Sequence, residues 1–108
     1  MKHDIFFAYA FERALESVLE KSPIDSRSHT LTKEAFELFL LEAGGTASFE
    51  RFAPSVRSFG NGRFEVRIDV TVYKKRYWRV RGAAQSMQKL LARHNVKATV
   101  RVRQSQNL

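Results

Sequence analysis

The chain has 108 residues, no cysteine, 19 basic and 11 acidic side chains and a net charge of +8. That is one domain's worth of sequence, and the missing cysteines exclude a disulfide framework, a thiolate zinc site and a cysteine nucleophile. With 44% hydrophobic and 12% aromatic residues the composition is that of a globular chain, and no apolar run approaches the ~20 residues of a membrane span.

The start, Met1-Lys2-His3-Asp4, places an acid before the apolar stretch, with no small-residue cleavage site after it. That is unlike a signal peptide, and a cytoplasmic protein is expected. Charge is divided unevenly along the chain. Residues 1–54 carry six basic side chains against nine acids, a balance of −3, whereas residues 55–108 carry thirteen against two, a balance of +11. Such asymmetry points the C-terminal half toward an anionic partner, a nucleic acid or an acidic protein.

The periodicity predicts a helix over 5–21, with Phe7, Phe11, Ala14, Leu15 and Val18 on one face, Asp4 as N-cap and Pro23 beyond its end. A strand over 5–11 is the alternative. Residues 22–31 are polar and read as a loop. Thr32 then caps a second helix, about 33–43, with Leu31 and Phe36 placed as a hydrophobic staple and Gly44 at the position after the C-cap. Residues 48–52 read as a short helical turn capped by Ser48, and 55–58 as a weak strand. Phe59-Gly60-Asn61-Gly62-Arg63 is a turn signal, because Asn and Gly accept positive φ cheaply. Phe64, Val66, Ile68, Val70 and Val72 then alternate with polar residues, as in a strand with one buried and one wet face.

A third helix is predicted over 78–93 on the stripe Val80, Ala83, Ala84, Met87, Leu90 and Leu91, and a last strand over about 96–103 with Val96, Ala98, Val100 and Val102 inward. The fold class is therefore α+β, a single domain over 1–108. Two N-terminal helices precede a β-hairpin, a helix and a strand, which form a small three-stranded sheet covered on one face by helices. The closing strand–helix–strand unit can be a parallel crossover.

The densest candidate site is Lys74-Lys75-Arg76-Tyr77-Trp78-Arg79-Val80-Arg81, five cations and two aromatics where the long strand hands over to the third helix. No Ser, Thr, Asp or Asn caps that helix, and cations crowd the positive end of its dipole. A bound phosphate would correct both faults, gripped by Arg79 or Arg81. Two placements are open for Trp78: helical and exposed near Arg81 and Lys89, where it can stack on a base, or ahead of the helix and stapling it to the core. Lys97, Arg101 and Arg103, with Arg67, Tyr73 and Thr99, form a second candidate surface on the outer sheet face. Against it, Glu65 and Asp69 can pair across the ladder with Arg101 or Arg103. The Gly60-Asn61-Gly62-Arg63 tip can reach a phosphate or a minor groove, although a plain hairpin accounts for it.

Residues 31–45 bear a superficial likeness to the opening helix of response-regulator winged-helix domains. The recognition helix that should follow is absent, since only Ser48-Phe49-Glu50-Arg51-Phe52 precedes Pro54. Enzyme signatures are also lacking. His3, His29 and His94 fall in different elements. Glu65 and Asp69 lie roughly 13 Å apart along a strand, too far to share a metal without a third ligand. The expectation is a non-catalytic nucleic-acid-binding module of low sequence specificity, with no cofactor and no metal. The alternative is a protein-interaction module, a homodimer through the surplus apolar residues Phe6, Tyr9, Leu38 and Leu41 or a binder of an acidic protein.

Overall fold

The structure is a computed structural model that describes residues 2–106 along the backbone; the side chains of residues 2–8 and of Ala47 lie outside the described set. Three helices, α1 (Lys2–Glu20), α2 (Ser26–Glu42) and α3 (Tyr77–Arg93), pack on one face of a three-stranded sheet formed by β1 (Phe49–Gly60), β2 (Arg63–Val72) and β3 (Lys97–Gln104). The α+β arrangement expected from the sequence is the one observed. The strand order is β1-β2-β3, with β1 antiparallel and β3 parallel to β2. Strand β2, α3 and β3 thus form a βαβ crossover with no strand between the parallel pair.

The inner sheet face follows the alternation read from sequence. Val66, Ile68, Val70 and Val72 are at most 1% exposed, and α3 sets Val80, Ala83, Ala84, Met87 and Leu91 against them. Each fully buried aliphatic contributes about 1.5–3 kcal/mol, against about 0–1 kcal/mol for an exposed ion pair. The inner face therefore holds most of the fold.

Five phenylalanines tie the first two helices to β1. Phe11 of α1 stacks on Phe52 at 4.6 Å between ring centroids, Phe36 of α2 meets Phe52 at 5.3 Å, and Phe39 stacks on Phe49 at 5.8 Å. This cluster corrects the expected helical turn over 48–52. A 3-10 turn occupies Thr46–Ser48, and the chain is already strand from Phe49. The register shifts between Phe49 and Arg51, which breaks the period-two signal where the strand starts. Pro54 does not end the strand, because β1 is an edge with no ladder partner on one side.

Two helix starts also differ from expectation. Helix α1 begins at Lys2, so Asp4 lies within it rather than capping it. Helix α2 begins at Ser26, seven residues ahead of the reading that made 22–31 a loop and Thr32 the cap. Asp25 caps it instead, its carboxylate accepting from the Ser28 amide at 2.8 Å and the Ser28 hydroxyl at 3.0 Å. These bonds hold the Asp25 pKa below the ordinary carboxylate value. Thr32 is buried inside the helix and satisfies its hydroxyl on the Ser28 carbonyl at 2.7 Å.

Both α2 and α3 close with the same device. Gly44 (φ +86°) and Asn95 (φ +62°) stand just past their respective C-caps. The amides of Gly44 and Gly45 bond back to the carbonyls of Leu41 and Leu40, and those of Asn95 and Val96 to Ala92 and Leu91. This is the Schellman pattern that satisfies the last orphan carbonyls.

Candidate nucleic-acid interface

Among the described residues no helix covers the outer face of the sheet, and the strand register sets its side chains in rows. Arg51, Thr71 and Arg103 lie side by side, followed by Ala53, Asp69 and Arg101, then Ser55, Arg67 and Thr99, then Arg57, Glu65 and Lys97. Six cations thus share the face with two acids. Both acids are engaged. Asp69 pairs with Arg101 at 3.9 Å, its register partner, as the sequence suggested. Glu65 lies 3.9 Å from Lys97 and 4.0 Å from Arg67 and accepts from the Thr99 hydroxyl at 2.8 Å, rather than reaching Arg101 or Arg103. The Arg101–Asp69 pair is long and exposed, and such pairs are worth about 0–1 kcal/mol, whereas Lys97 and Arg67 lie against the buried carboxylate of Glu65.

Beyond Val72 the chain leaves the sheet. Tyr73 donates its amide to the Ser48 carbonyl at 3.1 Å, and Lys74–Arg76 form a 3-10 turn closed by the Arg76 amide on the Tyr73 carbonyl at 2.8 Å. Helix α3 then starts without a side-chain cap and with no acid in its first turn. The end of β2 is accordingly ringed by Arg51 and Arg103, which flank Thr71, and by Lys74, Lys75 and Arg76 three to five residues later. All five are exposed, and none makes an ion pair among the described residues.

The remaining residues of the basic octet separate by role. Trp78 is inside α3 and 72% exposed, so it does not staple the helix to the core. Its indole meets Tyr77 edge-on at 5.1 Å, and the Arg81 guanidinium lies 5.3 Å from its ring centre. Arg79 is drawn elsewhere. Its Nε donates to the Glu42 carbonyl at 3.0 Å, and the guanidinium lies against Gly44, closing the C-terminal end of α2. That contact compensates the negative end of the α2 dipole and removes Arg79 from the free cations.

Sequence reasoning missed Arg51 and Arg57, because it took their strand for a helical turn and a weak short strand. The apolar residues Phe52, Pro54 and Val56 at every second position between Arg51 and Arg57 are the available signal. The apolar candidates are exposed: Tyr9 on α1 at 62%, Leu38 and Leu41 on α2 at 46% and 74%. The Phe6 side chain lies outside the described residues. Among the described residues no group of three His, Asp or Glu side chains is placed to hold a metal, and no helix is long and apolar enough to cross a membrane. Comparison of the chain with protein-family models, curated proteins and solved structures finds no match.

Proposed function

We propose that the protein is a non-catalytic nucleic-acid-binding module of low sequence specificity, contacting phosphates through the outer face of its sheet and the basic crossover into α3. The observation that carries this reading is the group of five exposed cations at one end of β2, Arg51, Arg103, Lys74, Lys75 and Arg76, none of which makes an ion pair among the described residues. Like charges grouped at one end of a strand repel one another, and an anionic ligand offsets that cost. Lys97 and Arg101 extend the surface along β3, and the exposed Trp78 offers a ring for stacking, whereas Tyr77 packs partly against the core and the Arg76 and Tyr77 amides at the start of α3 already bond to the Tyr73 and Lys74 carbonyls. Guanidinium and ammonium groups dominate, and few amide side chains are placed to read base edges, so contacts fall mainly on the backbone.

The test is a Lys74→Ala/Lys75→Ala/Arg76→Ala variant in fluorescence anisotropy with a labelled oligonucleotide. These side chains are exposed, so the variant should fold as the parent does and bind at least about tenfold more weakly at low salt. Equal affinity would refute the reading.

A second reading has its own observation. Tyr9, Leu38 and Leu41 are large, apolar and exposed on two helices packed against each other, as in a homodimer interface. Light scattering at two salt concentrations separates the cases. A dimer insensitive to salt uses the helices, and one that dissociates with salt pairs the acidic half of one copy with the basic half of another.

A further inference from the structure

We propose that the cleft at the hairpin end of the sheet seats one unpaired nucleobase, so that the nucleic acid this protein takes is single-stranded. The inference rests on the reading of the outer face as a phosphate-binding surface and goes beyond it by naming the strand state and the residue that senses it.

The cleft has a volume of about 330 Å³ and is lined by Phe59, Gly62, Arg63, Phe64, Asn95 and Lys97. That lies at the small end of the range for ligand sites, roughly 300–1,000 Å³. It forms where the Asn61-Gly62 turn, both residues at positive φ, stands beside the start of β3. Its distinctive member is Phe59. The β1–β2 register shifts between Ser58 and Gly60 and leaves Phe59 without a ladder partner. A bulge of this kind re-aims a side chain and commonly sits beside a functional site. Here it leaves the ring 46% exposed and outside the buried core cluster.

The surroundings of the ring are cationic. Arg57 lies 5.4 Å and Lys97 5.5 Å from its centre, and Arg63 lines the same cleft with no ion-pair partner among the described residues. Among the described residues no acid lines the cleft. The nearby Glu65 is 9% exposed and is turned to Thr99, Lys97 and Arg67. An aromatic ring with Arg57 and Lys97 over it and Arg63 in the same cleft suits a flat π system joined to an anion, as in a nucleotide: the base displaces one of the overlying flexible cations to stack on Phe59, and its phosphate meets Arg63 and Lys97. The Asn95 side chain supplies an amide donor and an acceptor for a base edge, on a backbone whose N–H donates a hydrogen bond to the Ala92 carbonyl at 3.1 Å. A paired and stacked base cannot enter such a cleft. An unstacked one can, which selects single strands.

The experiment measures anisotropy of the full chain with a labelled oligothymidylate of about 12 nucleotides and with a duplex of equal length, using the parent, Phe59→Ala and Phe59→Trp. Phe59 is exposed, and circular dichroism should show all three equally folded. Stacking on one aromatic changes affinity by about fivefold to a hundredfold. The expected result is that Phe59→Ala binds the single strand about tenfold more weakly, keeps its duplex affinity within about twofold, and that Phe59→Trp restores single-strand binding. Unchanged single-strand affinity in Phe59→Ala overturns the seat and leaves the basic face standing. Equal losses on both probes also overturn it, showing the ring to be a support for Arg57 and Lys97. If the parent binds neither probe at low salt, the phosphate-binding surface itself is refuted, and the seat with it.

Discussion

Arg79 offers a sharp separation between holding the fold and holding a ligand. It belongs to the basic octet by sequence, yet its Nε donates to the last α2 carbonyl, Glu42, at 3.0 Å, and its guanidinium covers Gly44. A hydrogen bond with a charged donor is worth about 1.5–3 kcal/mol. Exposure of this one reduces it to about 1 kcal/mol, including its favourable position at the negative end of the α2 dipole. For a chain of this length that amounts to a fall of about 4 °C in melting temperature. Arg79→Ala should therefore melt about 4 °C lower by circular dichroism and unfold at a lower urea midpoint with an unchanged slope. Its affinity for an oligonucleotide should stay within about twofold of the parent, since the removed group faces α2. A variant with the parent's melting temperature and a tenfold loss of binding would refute the assignment and return Arg79 to the phosphate contacts.

The other expectations follow from the same geometry. Gly44→Ala forces a side chain onto φ +86° and brings Cβ within 3.0 Å of the Arg79 guanidinium carbon, and should cost about 1 kcal/mol or more in urea unfolding. In an Arg79→Ala background the cost should shrink as the steric part disappears, and strict additivity would show the two residues to be independent. Gln88 accepts the Val100 amide at 2.6 Å on the edge strand β3. Gln88→Leu should thus lower stability by about 1 kcal/mol and speed hydrogen exchange at Val100 more than at its neighbours. Asp25 has its pKa lowered by the bonds from Ser28. Its contribution is present above the unfolded carboxylate pKa, about 4, and is lost as pH falls through the folded value. Asp25→Asn keeps an acceptor for the Ser28 amide without the charge, and should flatten the acid limb of a stability–pH curve. An unaltered acid limb would contradict the capping account.

What the sequence reveals of this fold depends on how one-sided each element is. Strand β2 alternates strictly because one face meets α3 and the other meets water, and α3 shows its stripe for the same reason. The start of α2 is hidden because Ser26, Arg27, Ser28 and Thr30 form polar, largely exposed turns, and the apolar stripe begins only at Leu31. Thr32 resembles a cap in sequence, yet its hydroxyl returns to the Ser28 carbonyl from inside the helix. Strand β1 is obscured by its register shift after Phe49 and by Pro54, both tolerated at an edge.

Of the candidate site, the cations of the crossover are legible because they are consecutive. Their neighbours Arg51 and Arg103 become visible only through strand pairing, and the role of Arg79 only through a backbone carbonyl 37 residues away. The setting of Phe59 is equally non-local, since a register shift in β1 and the first residue of β3 create it together.

The most direct test of the central claim is the salt dependence of oligonucleotide binding. If Arg51, Arg103, Lys74, Lys75 and Arg76 contact phosphates, four to six contacts imply a slope of about −3 to −5 in log affinity against log salt. The Lys74→Ala/Lys75→Ala/Arg76→Ala variant should shift that slope toward zero by about 2 to 3. A parent whose binding ignores salt, or a triple variant with the parent's slope, would contradict the account.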